Sequence, residues 1–268
     1  MRTRAPELRP TVFETASLDE LTAKLGEFAA IKSSRANVRL ELSITTEDRK
    51  KVKEYAEAGG VILIQRPASI RVRASFPVVG TTVFDMTSDG EQFHVYLPTE
   101  DRFLTGKNKF TARSEKRVEN VRPQHILEAL MIDPPREDET IEFMRNDTYG
   151  LAAYHVVVLK KNDQRALSRE LWFDRAAMKI ARQTIYEENG DLATDVWYSS
   201  WLEGDPPFPG VIRIDRPKDG YRLKVSVLEP GLNEEIPAKG FVLEPPEGVK
   251  IEDVGAASEE ALRKGEEE

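Results

Sequence analysis

The hydrophobic pattern near the start of the chain has a helical period. Within residues 17–32, apolar side chains recur every three or four positions, which predicts an amphipathic helix. These positions are Leu18, Leu21, Leu25 and Phe28. Ser17 and Glu20 have the spacing of a capping box, so we expect the helix to begin directly after Ser17.

The period then changes to two, which indicates half-buried strands. In residues 37–45 the apolar and polar side chains alternate, and the apolar ones are Val38, Leu40, Leu42 and Ile44. The stretch "VILIQRPASIRVR" (61–73) predicts a strand that ends at Arg66-Pro67, followed by a second strand with arginines on one face. Residues 81–98 predict a hairpin that turns at Asp89-Gly90, since this dipeptide favours tight turns.

The remainder of the chain predicts one further helix and many more strands. The helix covers 122–132, with Pro123 in its first turn. Asn189-Gly190 and Asp219-Gly220 mark two further turns. The strand patterns lie at 102–105, 140–145, 151–160, 167–174, 179–188, 191–202, 210–215, 221–228 and 239–244.

This order of elements predicts a mainly β protein of the α+β class. Short strands that follow one another directly form antiparallel meanders rather than βαβ units. We expect a half-open antiparallel β-barrel of about 10–11 strands, with helices that cover its concave face. We predict a single domain at 17–255, an extended lead-in at 1–16, and a charged, disordered tail at 256–268.

Composition and charge narrow the classes of function. The 268 residues are 40% hydrophobic and 32% charged, and the formal net charge is −8, which disfavours nucleic-acid binding. The absence of cysteine excludes disulfides, thiolate metal sites and cysteine nucleophiles. The sequence contains no run of 18 apolar residues, the length that would indicate a transmembrane helix. We expect no cofactor and no metal site.

The sequence offers few candidates for chemistry, and we predict no catalytic residues. The three histidines have no metal-ligand spacing and are interpreted as ordinary helix or sheet residues: His94, His125 and His155. The acidic segment 136–142 is interpreted as a solvated loop in preference to a catalytic carboxylate pair. Arg71 and Arg73 fit the solvated outer face of a sheet better than a clamp for a phosphate or carboxylate headgroup.

Two loops carry apolar residues where turns are normally polar. Residues 74–82, "ASFPVVGTT", form either a buried turn or an exposed apolar tip that contacts a membrane or an acyl chain. The contact residues of such a tip are Phe76, Val78 and Val79. The proline-rich loop 201–210 supports a similar argument for Phe208 with less force.

Five segments in order resemble the outer-membrane lipoprotein carriers and receptors of the Lol system, the LolA/LolB-like family. These segments are "SLDELTAKLGEF", "NVRLELSI", "GGVILIQRPASIRVR", "TSDGEQFHVYLP" and "GFVLEPPEGVKIEDV". They span residues 17–254, and the likeness is weakest between 100 and 200. The charged insert "TEDRKKVKEYAEAGG" and the acidic tail depart from the family pattern.

The resemblance implies a half-open barrel that is lined with apolar side chains and lidded by helices. It implies that Arg66 helps to latch the lid helices, and the alternative is an arginine at a strand end that is exposed to solvent. It also implies that the 74–82 loop is similar in position to the receptor's membrane-contacting loop. The cavity-lining candidates are Val38, Leu40, Leu42, Ile44, Phe93 and Val95.

The expected function is therefore a lipid- or lipoprotein-binding protein that holds acyl chains in an apolar cavity, without enzymatic activity. The expected partners are an acylated lipoprotein or a lipid, with a membrane surface as a further contact. The expected location is the periplasm, where an N-terminal lipid outside this sequence would provide a tether to the outer membrane. The alternative is a non-enzymatic protein-interaction or envelope-sensing module with a filled barrel. An enzyme is the least favoured class.

Overall fold

The structure is a computed structural model that describes residues 13–45, 51–76, 80–108, 113–114, 117–162 and 166–254. Its α-helices in these residues are α1 (Leu18–Ala29) and α2 (Pro123–Leu130). Its strands are β1 (Ser33–Thr45), β2 (Val52–Glu54), β3 (Ala58–Gln65), β4 (Ser69–Ser75), β5 (Thr82–Ser88), β6 (Gln92–Leu97), β7 (Arg102–Lys107), β8 (Glu139–Tyr149), β9 (Ala152–Lys161), β10 (Leu167–Asp174), β11 (Ile180–Tyr186), β12 (Leu192–Ser199), β13 (Val211–Arg216), β14 (Tyr221–Leu232) and β15 (Lys250–Asp253).

All 15 of these strands belong to one sheet that curls around α2. The order is β15-β7-β6-β5-β4-β3-β1-β14-β13-β12-β11-β10-β9-β8. Strand β2 also pairs with β1 and is not part of this order. The β1–β14 pair joins the two halves of the sheet. Helix α2 contacts β4 and β5 in one half and β13 in the other, so the sheet bends around this helix. The sheet remains open, and the predicted fold class is confirmed with more strands than expected.

The concave face and the two helices share one hydrophobic core. Helix α1 begins with the predicted capping box, in which the Ser17 side chain accepts from the backbone of Glu20 and Glu20 accepts from the backbone of Ser17. Its apolar stripe faces the sheet and is buried, as are the apolar positions of α2: Leu21, Leu25, Phe28, Ile126, Leu127 and Leu130. The alternation of the sequence thus places one face of each strand against the helices.

The C-terminal segment does not form the predicted strand at 239–244. Ala238–Phe241 is instead a short 3-10 helix, and the last strand, which the sequence analysis missed, is β15. β15 pairs with β7 in parallel, the exception in an otherwise antiparallel sheet. The short edge strand β2 was missed as well.

Side chains of the sheet bind this C-terminal segment to the convex face. Arg71 forms two hydrogen bonds to Asp85, at 2.9 and 2.8 Å, and its Nη1 donates to the carbonyl oxygens of Gly240 and Val242 at 3.1 and 3.0 Å. The hydroxyl of Thr87 donates to the carbonyl of Phe241 at 2.7 Å. Arg71 therefore lies on the outer face of the sheet, as predicted, but its side chain is only 22% exposed because it pairs with Asp85 and holds a chain crossing.

Candidate functional site: the helix-covered concave face

Arg66 connects both helices to the sheet. It follows the last residue of β3, where its Nε donates to the carbonyl of Ile31 at 2.8 Å, just beyond α1. Its Nη1 forms an ion pair with the carboxylate of Asp133, three residues beyond the end of α2. Nη2 makes longer contacts with the carbonyls of Phe28 and Ile132, at 3.5 and 3.4 Å. One guanidinium group therefore touches the C-terminal ends of both helices.

The segment after α2 is also fixed to the other half of the sheet. Arg169 on β10 donates from Nη1 to the carbonyl of Asp133 at 3.0 Å and from Nη2 to that of Pro134 at 2.9 Å. The same guanidinium binds the carboxylate of Glu139 at 2.5 Å, and the two side chains are 1% and 0% exposed. The interpretation of residues 136–142 as a solvated loop is wrong at Glu139, because this residue forms a buried ion pair at the start of β8.

Glu139 is held as a carboxylate by its neighbours. Burial alone would raise its pKa, but hydrogen bonds and charge from Arg169, with a hydrogen bond from Ser168, hold the pKa of Glu139 below its ordinary value. The contacts of Glu139 with the described residues are those of a structural ion pair, and they include no second carboxylate for acid–base chemistry.

The start of α1 is anchored by His155 on β9. The backbone N–H of Ala16 donates to Nε2 of His155 at 3.2 Å, and Nδ1 lies 2.7 Å from Oδ1 of Asn146. This geometry requires a neutral ring with the proton on Nδ1. Burial lowers the pKa of His155, and the nearby charge of Arg175 lowers it further. Protonation of Nε2 would remove the bond to Ala16.

We therefore expect stability to depend on the charge of His155. Its lowered pKa means that the unfolded chain binds more protons below about pH 6.5, the ordinary histidine pKa. Stability is then full above that pH and falls as the pH decreases towards the pKa in the folded protein, by up to about 1.4 kcal/mol per pH unit for one histidine. Urea unfolding between about pH 7.5 and about pH 5.5 measures the slope. In His155→Gln the slope should be smaller, and an unchanged slope would contradict this assignment.

The six predicted cavity-lining residues all lie on the concave face within the core. Five of them are buried, and Leu42 is half-buried and packs against the same cluster. The buried ones are Val38, Leu40, Ile44, Phe93 and Val95. In this structure they pack with the apolar sides of α1 and α2. The concave face is thus apolar and covered by helices, and a lipid-binding cavity there stays a prediction.

The predicted contact loop is described only in part. Phe76 is half-buried at the end of β4, where its backbone N–H donates to the carbonyl of Thr81 at 3.0 Å. Val78 and Val79 lie outside the described residues. Phe208, the weaker candidate for an exposed tip, is buried and pairs with Leu202, so that interpretation is wrong.

Sequence reasoning missed the partners of Arg66. Asp133 lies 67 positions away from it, directly after the predicted helix at 122–132. Only the three-dimensional fold brings the two charges together. The structure places His94 on β6 and His125 on α2, and the described residues include no group of three side chains suited to a metal ion. None of the helices in the described part of the chain has the length and apolar character needed to span a membrane.

Comparisons with known proteins support the fold. No protein-family model matches the chain, and no match is found among curated proteins. Solved structures do match. A LolA superfamily protein from Nitrosomonas europaea is 16% identical with a TM-score of 0.53, and the match covers 85% of this chain and 99% of that one.

Two further structures match over a similar extent. A DUF1329 family protein from Desulfovibrio piger is 12% identical with a TM-score of 0.53, covering 83% of this chain and 95% of that chain. An outer-membrane lipoprotein-sorting protein domain from Vibrio parahaemolyticus is 12% identical with a TM-score of 0.52, covering 83% and 94%. At these identities the matches show the fold alone, and this chain has a LolA-like fold.

Proposed function

We propose that this protein, which has a LolA-like fold, is a periplasmic lipid- or lipoprotein-binding protein. In this proposal it holds acyl chains against its concave face when the helices move away, and it carries out no reaction and uses no cofactor. The name of the Vibrio parahaemolyticus neighbour, a lipoprotein-sorting domain, and the extent of the matches support this assignment. The observation that carries it is the single guanidinium of Arg66 that joins both helices over an apolar face.

Burial of apolar surface supplies the driving force for such binding. Each CH₂ group removed from water contributes about 0.8 kcal/mol, so one acyl chain compensates for much of the apolar surface that departing helices expose. Buried side chains of α1 and α2 cover the concave face in the structure, and in this proposal that arrangement is the closed state. Binding would exchange helix side chains for acyl chains.

In this proposal Arg66 sets the equilibrium between the closed and open states. Its hydrogen bond to Ile31 and its ion pair with Asp133 hold the segments that follow the two helices, and in this proposal both contacts are lost when the helices move away. Charge-assisted hydrogen bonds of this kind are worth about 1.5–3 kcal/mol when partly buried. The Arg66 side chain is 17% exposed, which places the pair between a surface and a buried ion pair.

Replacing Arg66 with glutamine should therefore raise the affinity for an acyl probe. If the substitution weakens the closed state by about 1.4 kcal/mol, the apparent affinity for palmitate rises about tenfold, because less free energy is spent on opening. The melting temperature of the lipid-free protein should decrease at the same time. Isothermal titration and native mass spectrometry of delipidated protein with palmitate measure both the affinity and the stoichiometry.

Arg73 provides a matched control on the neighbouring strand. It is exposed, and its Nη2 makes a 3.4 Å contact with the hydroxyl of Thr82. Arg73→Gln changes the net charge equally and should leave palmitate affinity within about twofold of wild type. Lower stability of Arg66→Gln without a gain in affinity would show that Arg66 has a structural role only.

The burial of the predicted cavity positions favours the second candidate, a protein-interaction module with a filled barrel. Five of the six side chains already pack in the core with helix residues. In that case delipidated wild-type protein would show no bound palmitate in either measurement, and Arg66→Gln would lose stability alone.

A further inference from the structure

Strand β8 forms one edge of the sheet. It is the last strand in the sheet order, and among the described residues it pairs with β9 alone. A register shift between Ile141 and Phe143 interrupts its first half, and a two-residue turn at Gly150-Leu151 follows its end. The regular part of the strand is therefore 143–149. The edge of such a strand is a template for pairing with another strand.

The hairpin turn determines which backbone groups of this segment point away from β9. A two-residue turn closes on a hydrogen-bonded pair, here Tyr149 and Ala152, and the groups of every second residue then point outward. The outward residues are Met144, Asn146 and Thr148. The backbone N–H of Thr148 donates to the carboxylate of Asp147 at 2.8 Å instead of to β9, which agrees with this direction.

The outer face of the same segment carries aromatic and charged side chains. These are Phe143, Arg145, Asp147 and Tyr149, which alternate with Met144 on the core side. Phe143 and Tyr149 are 47% and 62% exposed, and the ring of Tyr149 lies 5.5 Å from that of Trp197. Arg145 and Asp147 are 35% and 38% exposed. The stripe therefore has one aromatic residue at each end and two opposite charges between them.

This stripe is complementary to a second copy of itself in one antiparallel register. A twofold axis at Asn146 places residue 143 opposite 149, 144 opposite 148 and 145 opposite 147. Arg145 of each copy then faces Asp147 of the other, and Phe143 faces Tyr149. The outward groups of 144, 146 and 148 exchange about six backbone hydrogen bonds across the axis.

The charges disfavour the neighbouring registers. An axis at Arg145 or at Asp147 places two identical charges directly opposite each other, which destabilises a strand pair. An axis at Met144 or at Thr148 leaves Arg145 opposite an uncharged residue. Asn146 is also the middle residue of the regular segment, so the charge pattern and the strand length select the same register.

The present contacts of Arg145 and Asp147 are compatible with this pairing. Nη1 of Arg145 donates to Glu170 at 2.9 Å and its Nε lies 3.4 Å from Asp147, whereas a guanidinium group carries five N–H donors. In the pair, the N–H of Thr148 donates to the carbonyl of Met144 in the second copy. The carboxylate of Asp147 is then released from Thr148 and accepts from Arg145 of the second copy.

We propose that the 143–149 edge of β8 is a self-association surface, through which two copies of this chain pair antiparallel and continue one sheet into the next. The surface does not depend on the proposed lipid-binding function, because it lies at the sheet edge and not on the helix-covered face. Failure of palmitate binding would leave it unaffected. An interface of this extent is smaller than that of a stable complex, so we expect a dissociation constant on the order of 100 µM.

Sedimentation velocity of the wild-type protein between about 10 and about 500 µM tests the association itself. The sedimentation coefficient should rise with concentration towards that of a dimer, with a dissociation constant of about 100 µM. Small-angle X-ray scattering at the highest concentration should show an elongated particle, because the two sheets join edge to edge. A monomer throughout this range would overturn the proposal.

Two charge variants test the register. Asp147→Lys and Arg145→Glu each place like charges opposite each other, so each variant alone should associate at least tenfold more weakly than wild type. In an equimolar mixture the two introduced charges face each other with opposite sign, and association should return to within about threefold of wild type. Glu41→Lys makes the same charge change as Asp147→Lys on an inner strand, at a 44% exposed side chain, and should alter association less than about twofold.

A further variant keeps the test independent of the folding of Arg145→Glu, which places a carboxylate beside Glu170. Thr148→Pro removes an outward N–H without changing charge, and edge strands tolerate proline at such positions. It should weaken association at least tenfold while the circular dichroism spectrum stays that of wild type. Equal association of Asp147→Lys and Glu41→Lys, or undiminished association of Thr148→Pro, would overturn the proposal, as would a folded mixture that stays monomeric.

Discussion

Replacing Glu139 with leucine should lower the free energy of unfolding by about 3–5 kcal/mol, the cost of leaving one member of a buried ion pair without the other. The single N–H of Nε of Arg169 is shared between the two carboxylate oxygens of Glu139, at 2.9 and 3.2 Å, and Nη2 donates to the same carboxylate at 2.5 Å. Ser168 and the backbone N–H of Arg136 add hydrogen bonds at 2.5 and 3.0 Å. Without the carboxylate, the fully buried guanidinium keeps only the carbonyl oxygens of Asp133 and Pro134.

The expected loss is large because this ion pair fixes the segment between α2 and β8. That segment provides Asp133 to Arg66 and its carbonyl groups to Arg169, so one loop joins the helix to both halves of the sheet. Loss of Glu139 should therefore affect the position of α2 as well as the local charge balance. We expect urea unfolding, followed by circular dichroism and tryptophan fluorescence, to show one cooperative transition at a lower midpoint.

A control and a second variant separate charge burial from other effects. Asp215→Leu removes a carboxylate from the pair with Arg222, whose side chain is 60% exposed, and should cost less than about 1 kcal/mol. Arg169→Met combined with Glu139→Leu should recover part of the loss, because no unpaired charge then stays buried. A loss in Glu139→Leu no larger than that in Asp215→Leu would contradict this account.

The fold was largely predictable from hydrophobic periodicity. Residues 17–32 and 37–45 show the helical and alternating patterns clearly, since their apolar positions must face one core. The C-terminal crossing was not predictable in the same way. Its backbone is held by Arg71 and Thr87, side chains that lie more than 150 positions earlier in the chain. An apolar stretch at 239–244 therefore gave the pattern of a strand without forming one.

Of the ion pair between Arg66 and Asp133, only Arg66 was predictable from the sequence. The resemblance to lipoprotein carriers identified Arg66 through its strand-ending Arg-Pro sequence, but local sequence carries no sign of Asp133. Glu139 lies within a segment that is strongly acidic on average, and average polarity predicts solvent exposure. Its burial depends on Arg169, 30 positions away on β10. Long-range charge pairs of this kind are set by strand order, which single-sequence patterns do not specify.

Replacing Leu25 with alanine should lower the free energy of unfolding by about 2–5 kcal/mol and, if α1 is a lid, strengthen lipid binding. Leu25 is fully buried on the apolar stripe of α1, so its truncation removes apolar contacts and leaves a cavity. The loss applies to the closed state, in which α1 lies on the concave face. In an open state that holds an acyl chain, the side chain of residue 25 would no longer fill that space.

A substitution that destabilises only the closed state should raise the affinity for palmitate. Every 1.4 kcal/mol lost by the closed state alone raises the affinity for palmitate about tenfold, so a loss of about 2 kcal/mol predicts roughly a 30-fold gain. Val156 is a suitable control, because it is equally buried but packs with Tyr154 and Trp172 on the opposite face of the sheet. Val156→Ala should lower stability without changing palmitate affinity. If Leu25→Ala behaves like Val156→Ala, then α1 stays on the sheet when ligand binds, and the helix is part of a permanent core rather than a lid.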